Sequence, residues 1–144
     1  MHKVKVLLRR QELVSATRDE SVLDVAHTMA RAHVGAILIL DGSRLVGVFS
    51  ERDLMTRVVV PGHDPGAVRV GEVMTREVIT AEANDTRSAC VEKMRKVGCR
   101  HLPIFDDGEL VAMLSMRDLL RDEIEEQVQE IQSLRAYLHQ QPPH

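Results

Sequence analysis

The hydrophobic positions in the first half of the chain predict a strand followed by an amphipathic helix. Residues 13–16 form a short apolar run. Ser21 is a suitable helix N-cap, and after it apolar side chains recur at the three- and four-residue spacing of a helix. These positions are Val22, Val25, Ala26, Met29, Ala30 and His33. The spacing predicts a helix over about residues 22–33.

Two continuous apolar runs follow, at residues 36–40 and 45–49, separated by the turn-forming residues 41–44. This arrangement is typical of a β-hairpin. A second helix is predicted to begin at Ser50 and to end near Val60. Residues 61–66 contain two prolines and two glycines, interrupt the pattern and form a linker.

The second half repeats the first. Its predicted elements are a strand at Val78–Thr80, a helix over residues 86–98, a hairpin of residues 101–105 and 110–114, and a helix from Ser115. Residues 14–55 align without a gap to residues 79–120, and Ser50, Arg52, Asp53 and Leu54 recur as Ser115, Arg117, Asp118 and Leu119. A chain of 144 residues suits one domain, so the two repeats are expected to share a core and a pseudo-twofold axis. Apolar strands alternating with amphipathic helices predict a mixed α+β fold.

The last helix continues beyond the repeated unit. Its apolar side chains form a narrow stripe, made of Leu120, Ile124, Val128, Ile131, Leu134 and Leu138. Such a helix is not stable alone in water, so it must lie on its own domain or on a second subunit. The two arrangements are nearly equally favoured, with a slight preference for a homodimer contact.

Composition excludes several classes of function. Aromatic residues make up only 2% of the chain, so the core is aliphatic. A formal charge of -3 at pH 7 argues against a nucleic-acid partner, which needs a basic surface. No apolar run is long enough to span a membrane, and the apolar part of residues 1–10 is too short for a secretory signal. We therefore expect a cytoplasmic protein without a membrane partner.

The repeated Ser-x-x-Asp sequences are the candidate chemistry. Asp53 and Asp118 can each accept hydrogen bonds from both hydroxyls of a ribose, and Ser50 and Ser115 stand at helix starts, which favour anions. Four further residues could neutralise a phosphate: Arg52, Arg117, Arg100 and His101. The alternative is that each Ser-x-x-Asp is only a capping box, and that Arg100 and His101 are a solvated strand end.

Other sites are not indicated. Cys90 and Cys99 lie on or beside a predicted helix and are expected to be buried small residues. Six histidines lack the spacing of metal ligands: His2, His27, His33, His63, His139 and His144. The sequence shows no glycine-rich phosphate loop and no Ser/His/Asp arrangement, so we do not expect an enzyme.

The chain resembles a tandem pair of cystathionine β-synthase (CBS) domains, also called a Bateman module. The resemblance spans about residues 10–120. It rests on the order of the elements and on four segments, residues 47–53, 73–75, 100–106 and 112–118. It implies two β-α-β-β-α repeats packed sheet to sheet. Along the chain, the first repeat with its linker covers residues 1–66, the second residues 67–121, and the helical extension residues 122–144.

The resemblance also implies a binding module without a required cofactor. In the family, adenosine-containing ligands such as AMP, ADP, ATP, NAD or S-adenosylmethionine occupy clefts between the repeats. The first cleft would contain Ser50, Asp53, Met74, Thr75, Val78 and Ile79, and the second Ser115, Asp118, Leu13, Val14 and Ala16. Gly35 and Ala36 occupy the positions that Arg100 and His101 hold in the second repeat, so the clefts are not equivalent. The expected function is a nucleotide sensor acting on an unknown effector or through its own oligomerisation; the alternative is an interaction protein that binds no ligand.

Overall fold

The computed structural model describes residues 3–8 and 13–140. The first repeat contains β1 (Ser15–Ala16), α1 (Val22–Ala32), β2 (Ala36–Asp41), β3 (Arg44–Ser50) and α2 (Glu51–Asp53), which continues as a π-helical segment over Leu54–Val59. The second contains α3 (Val70–Val73), β4 (Ala81–Glu82), α4 (Arg87–Val97), β5 (His101–Asp106), β6 (Glu109–Ser115) and α5 (Met116–Gln140). A 3-10 helix at Val4–Leu7 precedes both. The predicted α+β class is confirmed.

The strands form two three-stranded sheets with the same topology. In each sheet the middle strand pairs in parallel with the short strand before it and antiparallel with the strand after it. Both hairpins shift register at equivalent positions, between Ile39 and Leu40 and between Ile104 and Phe105. Gly42 and Gly108 turn the hairpins with positive φ angles of 62° and 81°. The internal repeat predicted from the sequence is therefore a structural repeat.

Helix α1 has a side-chain cap at its N-terminus and a left-handed residue just after its C-terminus. Ser21 Oγ accepts a hydrogen bond from the amide of Asp24 at 3.1 Å, which confirms it as the N-cap. His33, predicted to be the last helical residue, instead adopts a left-handed conformation with φ 55° just beyond the helix. Gly98 has the same role after α4, at φ 75°.

The strand predicted at Val78–Thr80 is wrong, because β4 lies at Ala81–Glu82. Ala81 pairs in parallel with Ile104 of the central strand β5, whereas Thr75 pairs with Val48 of the first repeat. Residues 78–80 connect these two pairings and are not in a strand, although all three are β-branched residues, which favour strands. Partner position, rather than local propensity, determines where this strand forms.

Each repeat is completed by the segment that precedes the other. Val70, Val73 and Met74 pack in the core of the first repeat with α1, β2 and β3. Val4 is fully buried in the core of the second repeat, and its amide donates to the carbonyl of Asp85 at 2.9 Å. The boundary between residues 66 and 67 thus divides the sequence, while the packing crosses it.

Helix α5 is anchored to α4 by a buried ion cluster. The Arg87 guanidinium lies 2.7 Å from Asp122 Oδ2 and 2.6 Å from Glu126 Oε2, and the Arg87 side chain is only 12% exposed. Burial acts to lower the pKa of Arg87, but the hydrogen bonds to both carboxylates outweigh it and the pKa is raised. From Gln127 to Gln140 every residue of α5 is exposed. The helix does not fold back over its own domain beyond Glu126.

Candidate functional site

The first site consists of Ser50, Asp53 and Thr75. Ser50 is the N-cap of α2: its Oγ accepts from the amide of Asp53 at 3.2 Å, and Asp53 Oδ2 accepts from the amide of Ser50 at 3.0 Å. Thr75 Oγ1 lies 3.2 Å from both carboxylate oxygens of Asp53. Arg57 Nε lies 3.6 Å from Asp53 Oδ1. Asp53 is 8% exposed, so its carboxylate is buried and largely occupied by its own chain.

Segment 74–75 reaches this position because strand β3 has no side chain at Gly47. A Cβ there would lie 2.5 Å from Met74 Sδ and 3.0 Å from the carbonyl oxygen of Thr75. The close approach lets Val48 and Thr75 exchange two backbone hydrogen bonds, at 2.9 and 3.0 Å. Thr75 therefore lies beside Asp53, whereas Met74, predicted to flank the same cleft, packs against Gly47.

An open cavity of about 430 Å³ adjoins the first site. Its lining residues are Arg57, Glu72, Met74, Thr75, Arg76 and Glu77. The volume is within the range of small-molecule sites, about 300–1,000 Å³. Two arginines and two glutamates line the cavity, so their formal charges cancel. Both guanidinium groups already donate to backbone carbonyls, that of Arg57 to Val73 and Met74 and that of Arg76 to Gly71.

The second site consists of Ser115, Asp118 and His101. Asp118 Oδ2 accepts from the amide of Ser115 at 2.9 Å, and Ser115 Oγ accepts from the amide of Asp118 at 3.1 Å. Asp118 is half-buried rather than buried. Within residues 3–8 and 13–140, no side chain donates to this carboxylate as Thr75 does to Asp53. The second carboxylate therefore keeps acceptor capacity for a ligand.

The two repeats meet at His101, Gly35 and Glu51. A Cβ on Gly35 would lie 2.7 Å from Glu51 Oε1 and 3.5 Å from His101 Cε1, so glycine leaves room for both side chains. Burial lowers the pKa of His101 below its ordinary value of 6.5, and Arg100 lowers it further, while the charges of Glu51 and Asp118 oppose the shift. His101 is consequently neutral at pH 7 and faces two carboxylates that would stabilise its charged form.

The lowered pKa of His101 predicts a pH-dependent stability. Below about pH 6.5, His101 binds a proton more readily in the unfolded chain than in the folded protein, so the free energy of unfolding falls as the pH falls. His101→Gln should reduce this loss between pH 7 and pH 5, as measured by urea unfolding at each pH. His63→Gln, at an exposed histidine, is the matched control for the substitution itself. Equal slopes for wild type and His101→Gln would contradict the assignment.

The remaining residues predicted for the two clefts range from exposed arginines to buried alanines. Arg52, Arg100 and Arg117 are exposed, and their side chains make no hydrogen bond or ion pair within the described part of the chain. Ala16 and Ala36 are buried core residues. Leu13, Val14 and Val78 are half-buried, Ile79 is 37% exposed, and the carbonyl of Val14 accepts from the amide of Leu38 at 3.2 Å. The structure brings none of these nine side chains into polar contact with Asp53 or Asp118.

Two residues of the sites were not predicted from the sequence. Arg57 is four residues after Asp53 on the same helical segment, and this spacing is the signal that could have identified it. Glu51 lies inside the first Ser-x-x-Asp sequence, where Met116 stands in the second. Because of this difference, the first repeat places a carboxylate, that of Glu51, near His101 of the second repeat.

The cysteines and histidines of the described residues form no metal site. Cys90 is buried, as predicted, Cys99 is half-buried, and both are free thiols. Within residues 3–8 and 13–140, no three His, Cys, Asp or Glu residues form a group that could hold a metal ion. His2 and His144 lie outside the described residues. None of the described helices combines the length and the apolar character needed to cross a membrane.

Comparison with known proteins places this geometry in a family. The family model for the CBS domain matches twice, at residues 5–60 and 70–125. Among curated relatives, the mitochondrial CBS domain-containing protein CBSX3 of Arabidopsis thaliana is 29% identical over 127 residues, which cover 85% of this chain. The aligned region is 62% of the length of that relative.

Solved structures give the same result. The CBS domain protein NE2398 is 33% identical, with a TM-score of 0.82, over 86% of this chain and 99% of its own. The CBS domain protein PAE2072 of Pyrobaculum aerophilum, solved in complex with AMP, is 30% identical with a TM-score of 0.74, over 81% of this chain and 89% of its own. The chain described here belongs to the CBS-domain family and contains two consecutive CBS domains.

Proposed function

We propose that this chain is a regulatory module that binds an adenosine-containing ligand, AMP above all, with the ribose at Asp118. The observation that carries the proposal is the half-buried Asp118 carboxylate, fixed at a helix start by Ser115 with acceptor capacity remaining. A carboxylate in this state can accept hydrogen bonds from both ribose hydroxyls. The N-terminal end of the long helix α5 favours a phosphate, and the neighbouring His101, which is neutral at pH 7, can donate one hydrogen bond to it.

The complex of PAE2072 with AMP supports the choice of ligand. The proposal assigns the first site a weaker role, because ribose would have to compete with Thr75 and Arg57 for the Asp53 carboxylate. ADP, ATP, NAD and S-adenosylmethionine contain the same ribose and are alternative ligands. We further propose that the protein catalyses no reaction and is cytoplasmic. On binding its ligand it would act on an effector protein or change its own self-association.

Thermal unfolding with a panel of ligands tests the proposal. AMP, ATP, NAD and S-adenosylmethionine at millimolar concentration should each be compared with protein alone, because a ligand that binds only the folded state raises the unfolding midpoint. At a ligand concentration 100 times Kd the stabilisation is about 2.7 kcal/mol. The matched control is 2′,3′-dideoxy-AMP, which lacks the diol and should produce a much smaller shift.

A second function is favoured by a separate observation, the exposed apolar stripe of α5. The stripe includes Leu134, which is 63% exposed, and Leu138, which is 66% exposed. A contiguous exposed apolar patch of this kind is typical of an interaction surface. If no adenosine ligand raises the midpoint, the chain is an interaction protein that acts through this helix. A midpoint raised by AMP but not by dideoxy-AMP would decide for the sensor.

A further inference from the structure

The apolar stripe of α5 has the spacing of a coiled coil. Leu120 and Leu134 are separated by two heptads and occupy d positions, and Ile124, Ile131 and Leu138 follow one another at seven-residue intervals and occupy a positions. Gln127 takes the intervening d position, and Val128 beside it supplies an apolar side chain at e. All the apolar members of the stripe are exposed. In parallel coiled coils, β-branched residues at a with leucine at d favour two strands over three or four, and two of the three a positions here are isoleucine.

We propose that α5 pairs with α5 of a second copy of this chain as a parallel, in-register coiled coil. The occupant of the stripe is thus the same helix in the partner. This inference extends the self-association part of the proposed function. It does not depend on nucleotide binding, so either can fail without the other.

Charges beside the stripe select the parallel direction. Glu130 is at a g position and Arg135 at the e position of the next heptad. In a parallel pair, g of one helix faces e five residues later on the other, so Glu130 and Arg135 would form two symmetric ion pairs. Within the described residues neither side chain has an ion pair in its own chain, and both are exposed.

The antiparallel direction places like charges together. There, g faces g and e faces e across the interface. With Leu120, Ile124 and Ile131 kept in the seam, Glu130 would face Glu130 of the other copy, and Arg121 would face Arg135. Like charges in such positions destabilise a helix pair. The pattern therefore discriminates against the reversed dimer.

A parallel pair has a structural consequence for the second site. Helix α5 begins at Met116, so Asp118 lies in its first turn. Both copies of Asp118 would then be at the same end of the coiled coil. The anchor formed by Arg87, Asp122 and Glu126 would hold each CBS pair at a defined angle to that end.

Disulfide trapping tests the direction. In a Cys99→Ser background, Leu134→Cys should form an interchain disulfide readily under mild oxidation, because d positions of a parallel pair face each other. In the antiparallel register the two residues 134 would be about 15 Å apart along the axis, beyond the reach of a disulfide. Burial raises the pKa of the Cys90 thiol, so this residue contributes little background. Gln129→Cys, exposed on the outer face, is the matched control.

Charge exchange is the second measurement. Glu130→Lys alone and Arg135→Glu alone should each raise the dimer dissociation constant about 5-fold or more in sedimentation experiments, and the double variant should restore it. Circular dichroism confirms that the variants keep the fold. The proposal is overturned if Leu134→Cys cross-links no better than Gln129→Cys, or if the double variant is no tighter than either single variant.

Discussion

Asp118→Ala should reduce the affinity for AMP by at least about 10-fold in isothermal calorimetry. A hydrogen bond to a charged acceptor contributes about 1.5–3 kcal/mol, and each 1.4 kcal/mol corresponds to a factor of ten in Kd. The variant should still fold, because the helix-start role of Asp118 is worth only about 1 kcal/mol. Asp118→Asn, which keeps one oxygen for the amide of Ser115, should lose affinity with a smaller change in stability.

Asp53→Asn is the matched control in the first site. Asp53 is buried and accepts from Ser50 and Thr75, so this change should cost stability while AMP affinity changes little. An Asp118→Ala protein that binds AMP as tightly as wild type would remove the second site from the account. A large loss of affinity in Asp53→Asn alone would transfer the ribose to the first site.

Arg87→Leu should lower the free energy of unfolding by about 3 kcal/mol. The substitution leaves the carboxylates of Asp122 and Glu126 without their shared cation, in a place where the Asp122 side chain is only 10% exposed. Removing one partner of a buried ion pair costs about 3–5 kcal/mol. Urea unfolding monitored by circular dichroism measures the change.

Two further variants separate charge from packing. Arg69→Leu removes an exposed pair with Asp19, at 3.6 Å, and should cost less than about 1 kcal/mol. Adding Asp122→Leu and Glu126→Leu to Arg87→Leu should recover part of the loss, because this apolar replacement removes both carboxylates together with the guanidinium between them. If Arg87→Leu costs no more than Arg69→Leu, the cluster does not anchor α5.

The repeat and its hairpins could be predicted because their signals are local. Ser21, the turn around Gly42 and the apolar runs beside it each specify structure within a few residues, and the second half repeats them. The two Ser-x-x-Asp sequences were recognisable for the same reason. Their different burial was not predictable, because it depends on Thr75, which is distant in the sequence, and on Arg57, both of which contact Asp53.

What the sequence did not reveal depends on pairings between distant residues. Val4 packs in the second repeat and Val70 in the first, although the order along the chain suggests neither exchange. Arg87 reaches Asp122 across 35 positions, which no periodicity encodes. β4 begins later than its apolar run because Ala81, rather than Val78, finds a partner in β5. In each case tertiary pairing overrides local pattern.

The central claim is that a ribose binds at Asp118 where the two CBS repeats meet. A crystal structure of the protein soaked with AMP tests it most directly. The account predicts both ribose hydroxyls within about 3 Å of the Asp118 carboxylate, a hydrogen-bond distance, with the phosphate near the amide end of α5 and His101. AMP bound elsewhere with Asp118 open to water, or an Asp118 site that stays empty at millimolar AMP, would contradict it.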